Sequence, residues 1–297
     1  PLCNFRCQYC LPNGNASDIF SSEVLRPLEF ERLVRALAEM GISKVRLTGG
    51  EPTLRSDLLD IISRVKEVFG IRKVALTTNG FRFPEQVSDL YRAGVTSLNI
   101  SIDSLDRDRF REITGHDRLL QILQGIEQAL ELGFSEIKVN TVFLKQLNGN
   151  EAGGFLEWVR LRPVVLRFIE LMPTSDNVLF FKKHYGSLDT IKQNLLEQGW
   201  VGRSRTADGG PAEEFSHPDF KGGVGLIRPH SDHFCASCNR LRVTAKGDLQ
   251  LCLFGGGNVS LRHLLQEDGQ KEELIACVTK LLTQKEKSHH LREGNYG

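Results

Sequence analysis

Five short apolar runs, spaced regularly and separated by helix-like stretches, restrict the possible folds of this chain more than any other feature. They are Lys44–Thr48 (KVRLT), Lys73–Asn79 (KVALTTN), Ser97–Ile102 (SLNISI), Lys138–Phe143 (KVNTVF) and Val165–Leu171 (VLRFIEL). Each is rich in β-branched or apolar residues and bounded by Gly, Asn, Asp or Pro, which predicts strands. Between them, Pro27–Met40 places Leu28, Leu33, Val34, Leu37 and Met40 near a 3.6-residue period, and Pro27 suits a first helical position. Ser56–Phe69 reads as a second helix capped by Ser56, and Gln86–Ala93, Leu119–Leu132 and Glu151–Leu161 follow the same pattern. Such alternation implies a parallel sheet joined by right-handed crossovers.

The polar residues inside the strands separate a barrel from a doubly wound sheet. Arg46 and Thr48 share one side of their strand, as do Thr77 and Asn79, Lys138 and Asn140, and Asn99, Ser101 and Asp103. Strands buried on both faces are apolar almost throughout. Here one face suits packing under helices, and the other points polar groups into an open lumen with its site at the C-terminal strand ends. Exposed faces of antiparallel strands would give the same alternation, but the intervening helices count against them.

Near Gly199 the alternation stops. Residues Arg203–Ala212 are polar and Gly-rich and read as a linker or surface loop. Strand-like runs follow at Leu241–Ala245 and Leu249–Phe254 around a Lys246-Gly247-Asp248 turn, then helical candidates at Ser260–Glu267 and Gln270–Leu282. The length of 297 residues accommodates a large α/β domain over 1–205 and a smaller α+β domain over 206–297. Lys and Arg total 38 against 37 Asp and Glu, so net charge gives no reason to expect a nucleic-acid partner. No window is apolar enough to span a bilayer and no signal peptide opens the chain, so a cytoplasmic protein is expected.

Six of the seven cysteines fall in two triplets: Cys3, Cys7 and Cys10, then Cys235, Cys238 and Cys252. The odd total without a secretory signal argues against a disulfide framework. The first triplet has C-x3-C-x2-C spacing, which wraps one face of a four-iron cluster and leaves it one protein ligand short. Structural zinc closes with four ligands, and no fourth Cys or His follows soon. Cys7 and Cys10 alone would be a weak redox pair, which leaves Cys3 unexplained. The second triplet is open between a cluster and a zinc site completed by His230 or His233. Cys277, within LIACV, reads as a buried apolar residue.

The first triplet, with the aromatic Tyr9 before its last cysteine, resembles that of the radical S-adenosylmethionine (SAM) superfamily. Thr48-Gly49-Gly50-Glu51-Pro52 resembles that superfamily's GGEP motif. Within it, the stretch FCASCNRLR at 234–242 through LCLF at 251–254 is similar to the GTP 3′,8-cyclase family. LTGGEPTLR at 47–55, LTTNG at 76–80, RFIELM at 167–172 and GLIRP at 225–229 extend the likeness over almost the whole chain.

The resemblance implies a partial (β/α)6 TIM-like barrel with a C-terminal cluster domain. It implies two [4Fe-4S] clusters, one on Cys3, Cys7 and Cys10 and one on Cys235, Cys238 and Cys252. Tyr9, Gly50, Ser101 and Met172 would contact SAM; Arg46, Thr77, Lys138, Arg240, Leu241 and Arg242 would contact GTP. The basic four suit a triphosphate, whose oxygens Arg binds bidentately. Arg240 and Arg242 could otherwise be surface ion pairs, and Met172 a core residue.

As implied partners come a flavodoxin- or ferredoxin-type electron donor, a homodimer mate and a downstream cyclic pyranopterin phosphate synthase. The family's first barrel strand and an Arg before the first triplet have no counterpart here, nor has its Gly-Gly tail, so a fragment lacking both ends is expected. A radical SAM peptide maturase with an auxiliary cluster, or a zinc-stabilised binding module, are the alternatives.

Overall fold

The computed structural model describes residues 2–10, 24–174, 177–204, 209–231, 234–235, 238–252 and 258–285. Helix α1 (Pro27–Glu39) leads into strand β1 (Lys44–Leu47), and α2 (Leu58–Glu67) into β2 (Lys73–Thr78). Next come α3 (Phe83–Ala93), β3 (Ser97–Ser101), α4 (Arg107–Thr114), α5 (Leu119–Leu132), β4 (Glu136–Phe143), α6 (Ala152–Arg160) and β5 (Val165–Glu170). All five expected strands form. Asp57 rather than Ser56 precedes α2, and its carboxylate pairs with Arg55 instead of capping the helix.

Past β5 the chain continues through α7 (Val178–His184), α8 (Asp189–Glu197), β6 (Val201–Gly202), β7 (Glu213–Ser216) and β8 (Gly223–Ile227). The main sheet has the order β1-β2-β3-β4-β5-β8-β7-β6. Its first six members are all parallel, and β7 and β6 extend it antiparallel. Past the expected division at residue 205 the chain still adds to this sheet, because β8 hydrogen-bonds directly onto β5 and β7 onto β8. The sheet is curled. Four strand spacings separate β1 from β5, ~19 Å if flat, yet Arg167 is close enough to Arg46 to help depress its ionisation. This is the partial (β/α)6 barrel.

The alternation sorts the two faces. Val74, Leu76, Leu98, Ile100, Val139, Leu166, Val224 and Leu226 are buried under the helices in one core with Ile61, Ile62, Val65, Phe83, Ile122 and Phe155. Gly222 permits the tight junction between α6, β5 and β8: a Cβ there would lie 2.5 Å from the Val164 carbonyl oxygen and 2.7 Å from that of Arg162.

The C-terminal part forms a separate antiparallel sheet of β9 (Arg242–Val243), β10 (Asp248–Gln250) and β11 (Val259–Ser260), followed by α9 (Lys271–Leu282). The strands are shorter than expected, and residues 253–254 of the second lie outside the described residues. Ser260–Glu267 is not a helix; it carries only one 3-10 turn, Arg262–Leu264, because Leu261, Leu264 and Leu265 all turn into one small core. That core joins Leu25, Leu33 and Ala36 of the α1 region to Leu249, Leu274 and Val278. Cys277 packs against it, partly buried. No helix among the described residues is long and apolar enough to cross a membrane.

Candidate active site

Strand pairing aligns the polar side of the sheet in rows across the barrel. Arg46, Ala75, Ser97 and Glu136 form one row. Thr77, Asn99, Lys138 and Val165 form the next, and Ser101, Asn140, Arg167 and Gly225 the third. The parity that hides apolar residues under the helices turns these side chains into the lumen. Gly225 gives Arg167 its room, since a Cβ there would stand 3.2 Å from Arg167 Cγ.

The lumen is strongly cationic. Arg46 reaches solvent through the open mouth yet is crowded by protein. Burial, then Arg167 and Arg240, push its guanidinium down to about 10, with Arg242 adding to them and Glu136 opposing. Lys138, only 4% exposed, pairs with Glu136; burial and then Arg167 bring its ammonium down to about 8. Burial alone would raise the Glu136 carboxyl, but bonds from Lys138 and Lys73 hold it at about 2. Arg167, 2% exposed, donates to Asn99 Oδ1 at 3.5 Å and Glu214 Oε1 at 3.3 Å. Among the described residues its Nε and the neighbouring Asn140 Oδ1 are buried without a hydrogen-bond partner, a costly arrangement that a polar ligand would relieve. Cations that repel one another around a cavity are a site for a polyanion.

At one end of the lumen lies the first cysteine loop. Phe5 anchors it in the core, stacked on His116 at 5.5 Å and edge-on to Phe81 and Phe110. Main-chain bonds tie Arg6 and Gln8 to the end of α4, and Asn79 donates to Asn4 Oδ1 at 2.8 Å and Cys3 Sγ at 3.6 Å. The Cys7 thiol is pushed up by burial, then by Asp103, Cys10 and Cys3, and Cys10 by burial, Cys3 and Asp103. Two thiols, Cys7 and Cys10, resist ionising beside a third sulfur, and a cation among them would relieve this, which suits a three-thiolate iron–sulfur cluster. Among the described residues, no three His, Cys, Asp or Glu side chains close on a point as one metal ion would require.

Two carboxylates fasten this loop and the GGEP turn. Glu51, buried, accepts bonds from Thr53 N (3.0 Å), Thr53 Oγ1 (2.6 Å), Thr78 Oγ1 (2.8 Å) and Asn79 N (2.6 Å). Its own N–H donates to the Leu2 carbonyl at 2.7 Å. Gly50 is thereby fixed beside the loop. Asp103 accepts from Tyr9 Oη at 2.8 Å and Val142 N at 2.9 Å, and burial raises its carboxyl to about 6. Asn177 Nδ2 donates to the carbonyls of Tyr9 (2.9 Å) and Met172 (3.2 Å). Tyr9, Met172 and, at the end of β3, Ser101 are thus brought to the same mouth as the thiols.

The second triplet meets the lumen from the C-terminal side. Cys238 N–H donates to the Cys235 carbonyl at 3.0 Å. Arg242 is held below its usual range by burial and by Arg240, with Cys238 and Cys252 pulling the other way, so it stands near both sulfurs. Burial would raise the Cys238 thiol, but the Arg240 main-chain N–H, the Arg240 guanidinium and Lys285 lower it. Arg240 lies over the Phe234 ring at 5.4 Å. Leu241 packs its side chain into the C-terminal core, leaving only its main chain for a ligand. His233 lies outside the described residues; His230 instead meets the Leu171 carbonyl at 3.2 Å.

Strand register sets Arg46, Thr77, Ser101 and Lys138 on one face of the barrel, Asn177 joins Tyr9 to Met172, and Arg240 and Arg242 lie close enough to Arg46 to depress its ionisation. Sequence reasoning set Asn140 and Asp103 on the lumen face without giving them a role, and passed over Arg167, Glu136 and Asn177 as site-shaping groups. Arg167 bears the same signal that marked Arg46 and Lys138, a charge inside an apolar strand.

Residues 1–159 match the Radical SAM superfamily profile and residues 164–291 the profile described as Molybdenum Cofactor Synthesis C. A GTP 3′,8-cyclase of Stenotrophomonas maltophilia (strain K279a) is 52% identical over 295 residues, 99% of this chain and 90% of its own length. One from Vibrio vulnificus (strain CMCP6) is 48% identical over 297 residues, 100% of this chain and 89% of its own. Among solved structures, Streptococcus suis SuiB superposes with a TM-score of 0.62 at 14% identity, over 93% of this chain and 65% of SuiB. At that identity the likeness is one of fold.

Proposed function

Since the chain belongs to the GTP 3′,8-cyclase family of the radical SAM superfamily, we propose that GTP and SAM meet in its barrel lumen between two iron–sulfur clusters. The reaction is the first step of molybdenum cofactor biosynthesis. GTP becomes 3′,8-cyclo-7,8-dihydro-GTP while SAM is cleaved to 5′-deoxyadenosine and methionine, which makes the chain a lyase. Cys3, Cys7 and Cys10 would hold a four-iron cluster, which would supply the electron needed to cleave the SAM sulfonium.

The convergence of Arg46, Lys138 and Arg167 from the barrel with Arg240 and Arg242 from the second cysteine segment is the observation that carries this reading. Arg46, Lys138, Arg240 and Arg242 bind the triphosphate, Thr77 and the Leu241 main chain flank it, and Cys235, Cys238 and Cys252 would hold the second cluster, whose open iron would offer a site for the guanine. Tyr9, Gly50, Ser101 and Met172 line the SAM end, where Asp103, Glu51 and Asn177 fix the loops. Placement between two walls brings C3′ of the ribose, whose hydrogen is abstracted, and C8 of the base within reach of bond formation. An electron donor of flavodoxin or ferredoxin type, a homodimeric assembly, cytoplasmic location and hand-over to a cyclic pyranopterin phosphate synthase complete the reading.

Anaerobic reconstitution with iron and sulfide should give about eight irons per chain, two four-iron clusters. Incubation with SAM, GTP and a reductant should then yield the cyclised nucleotide by mass spectrometry. R240A and R242A should weaken GTP binding and leave SAM cleavage possible. One or two zincs with no iron would sink the reading, and normal GTP binding by both variants would remove those two roles.

A further inference from the structure

Lys285 follows α9, its N–H closing a last turn onto the Leu282 carbonyl at 3.1 Å. Its half-buried side chain reaches back to the second cysteine segment. There Nζ donates to the Arg240 carbonyl at 2.7 Å and the Cys238 carbonyl at 3.4 Å, and stands 3.9 Å from Cys238 Sγ. We propose that Lys285 is a positioning residue of the second cluster, fixing the Cys238–Arg240 main chain and placing a positive charge beside a ligating thiolate. This rests on the two-cluster reading above.

An ammonium carries three donors around one point charge, and these three acceptors lie around it. Two are main-chain oxygens flanking Asn239, so a single head-group sets the path between the cysteine and the first triphosphate arginine. Arg242 lies two residues further on, and the Arg240 guanidinium lies over the Phe234 ring and beside the Cys238 sulfur. Without Lys285, the Arg240 carbonyl loses its bond to a charged donor, and the guanidinium loses the fixed backbone from which it reaches the lumen.

The charge has a second consequence. One-electron reduction makes a thiolate-ligated cluster more negative, and a nearby cation favours the more negative form. The potentials of such clusters follow net charge and the bonds made to their sulfurs. Lys285 therefore raises the midpoint potential of the second cluster, and neutralising it shifts that midpoint to a more negative value.

The test uses the full chain with the first triplet replaced (C3A/C7A/C10A), so that only the second cluster titrates. Iron analysis comes first: about four irons supports the two-cluster reading, and zinc without iron overturns that reading and this proposal together. With iron present, K285M is expected to show a more negative midpoint by EPR-monitored titration. It should also bind GTP about tenfold more weakly, the loss expected for a charge-assisted bond. K285R, which keeps the charge, should stay near the parent midpoint. An unchanged midpoint and GTP affinity in iron-loaded K285M overturn the proposal. Should K285M fail to hold iron, recovery of iron and midpoint by K285R supports it, and failure of K285R too overturns it.

Discussion

Lys138 carries the least secure charge in the lumen. Burial and Arg167 bring it to about 8, and Glu136, shared with Lys73, opposes them. Below about 8 the ammonium is charged and attracts a triphosphate; above it the group goes neutral and the attraction is lost. Steady-state kinetics should therefore show KM for GTP rising several-fold from pH ~7.5 to ~9, with SAM affinity nearly constant. K138M should start from a high KM and lose that pH dependence; a K138M profile parallel to the parent would exclude Lys138 as its source. Arg46 and Lys138 were legible in sequence because a charge in an apolar strand has few benign explanations. The roles of Asp103 and Asn177 were not legible, although strand parity did set Asp103 on the lumen side. Their roles come from contacts with Tyr9, 94 and 168 residues away, and no local pattern encodes such a meeting.

At the scale of elements, β8 decides whether the lumen has a sixth parallel wall. Its GVGLI carries two glycines and only three apolar residues, so it offered little strand signal, and α4, α7 and α8 bury at most three residues each. The helix α5 was legible to the residue and the other long elements to within about three residues, while these short ones owe their form to the barrel they close. Gly222 is where that debt shows. A methyl group there meets main-chain oxygens of Val159, Arg162 and Val164 at 2.8 Å or less, and backbone cannot swing aside as a side chain would. Gly222→Ala should cost about 2 kcal/mol in denaturant unfolding, within the usual range for overpacking. It should also lower GTP affinity by shifting the β5–β8 pair that frames Arg167. Stability equal to the parent would show that the junction yields more easily than its geometry implies.

The molecule works only if its two ends meet, and α1 is the hinge point of that meeting. Its Val34 lies in the barrel core, whereas Leu33 and Ala36 lie in the C-terminal core. Glu29, fully buried, ties the two together. It accepts bonds from Arg26 N at 2.7 Å within its own capping box and from Gln266 Nε2 at 2.8 Å, and pairs with Arg262 at 3.3 Å. Burial alone would raise its carboxyl, but these bonds bring it down to about 2. Since the folded value lies below the unfolded one near 4.5, the stability it lends is present above about pH 4.5 and is lost as pH falls towards 2. Removing one partner from a buried charge network costs about 3 kcal/mol, so Glu29→Ala should lower stability by that order at pH 7. The loss should fall on the contact between the C-terminal sheet and α1, moving Arg240 and Arg242 off the lumen while Arg46 and the first cysteine loop stay in place. GTP affinity should therefore drop well before SAM binding does. Glu29→Gln should flatten the acid limb of the stability curve between pH ~4.5 and ~2. Equal loss of GTP and SAM binding in Glu29→Ala would mean that α1 supports the whole barrel rather than the approach of its two ends.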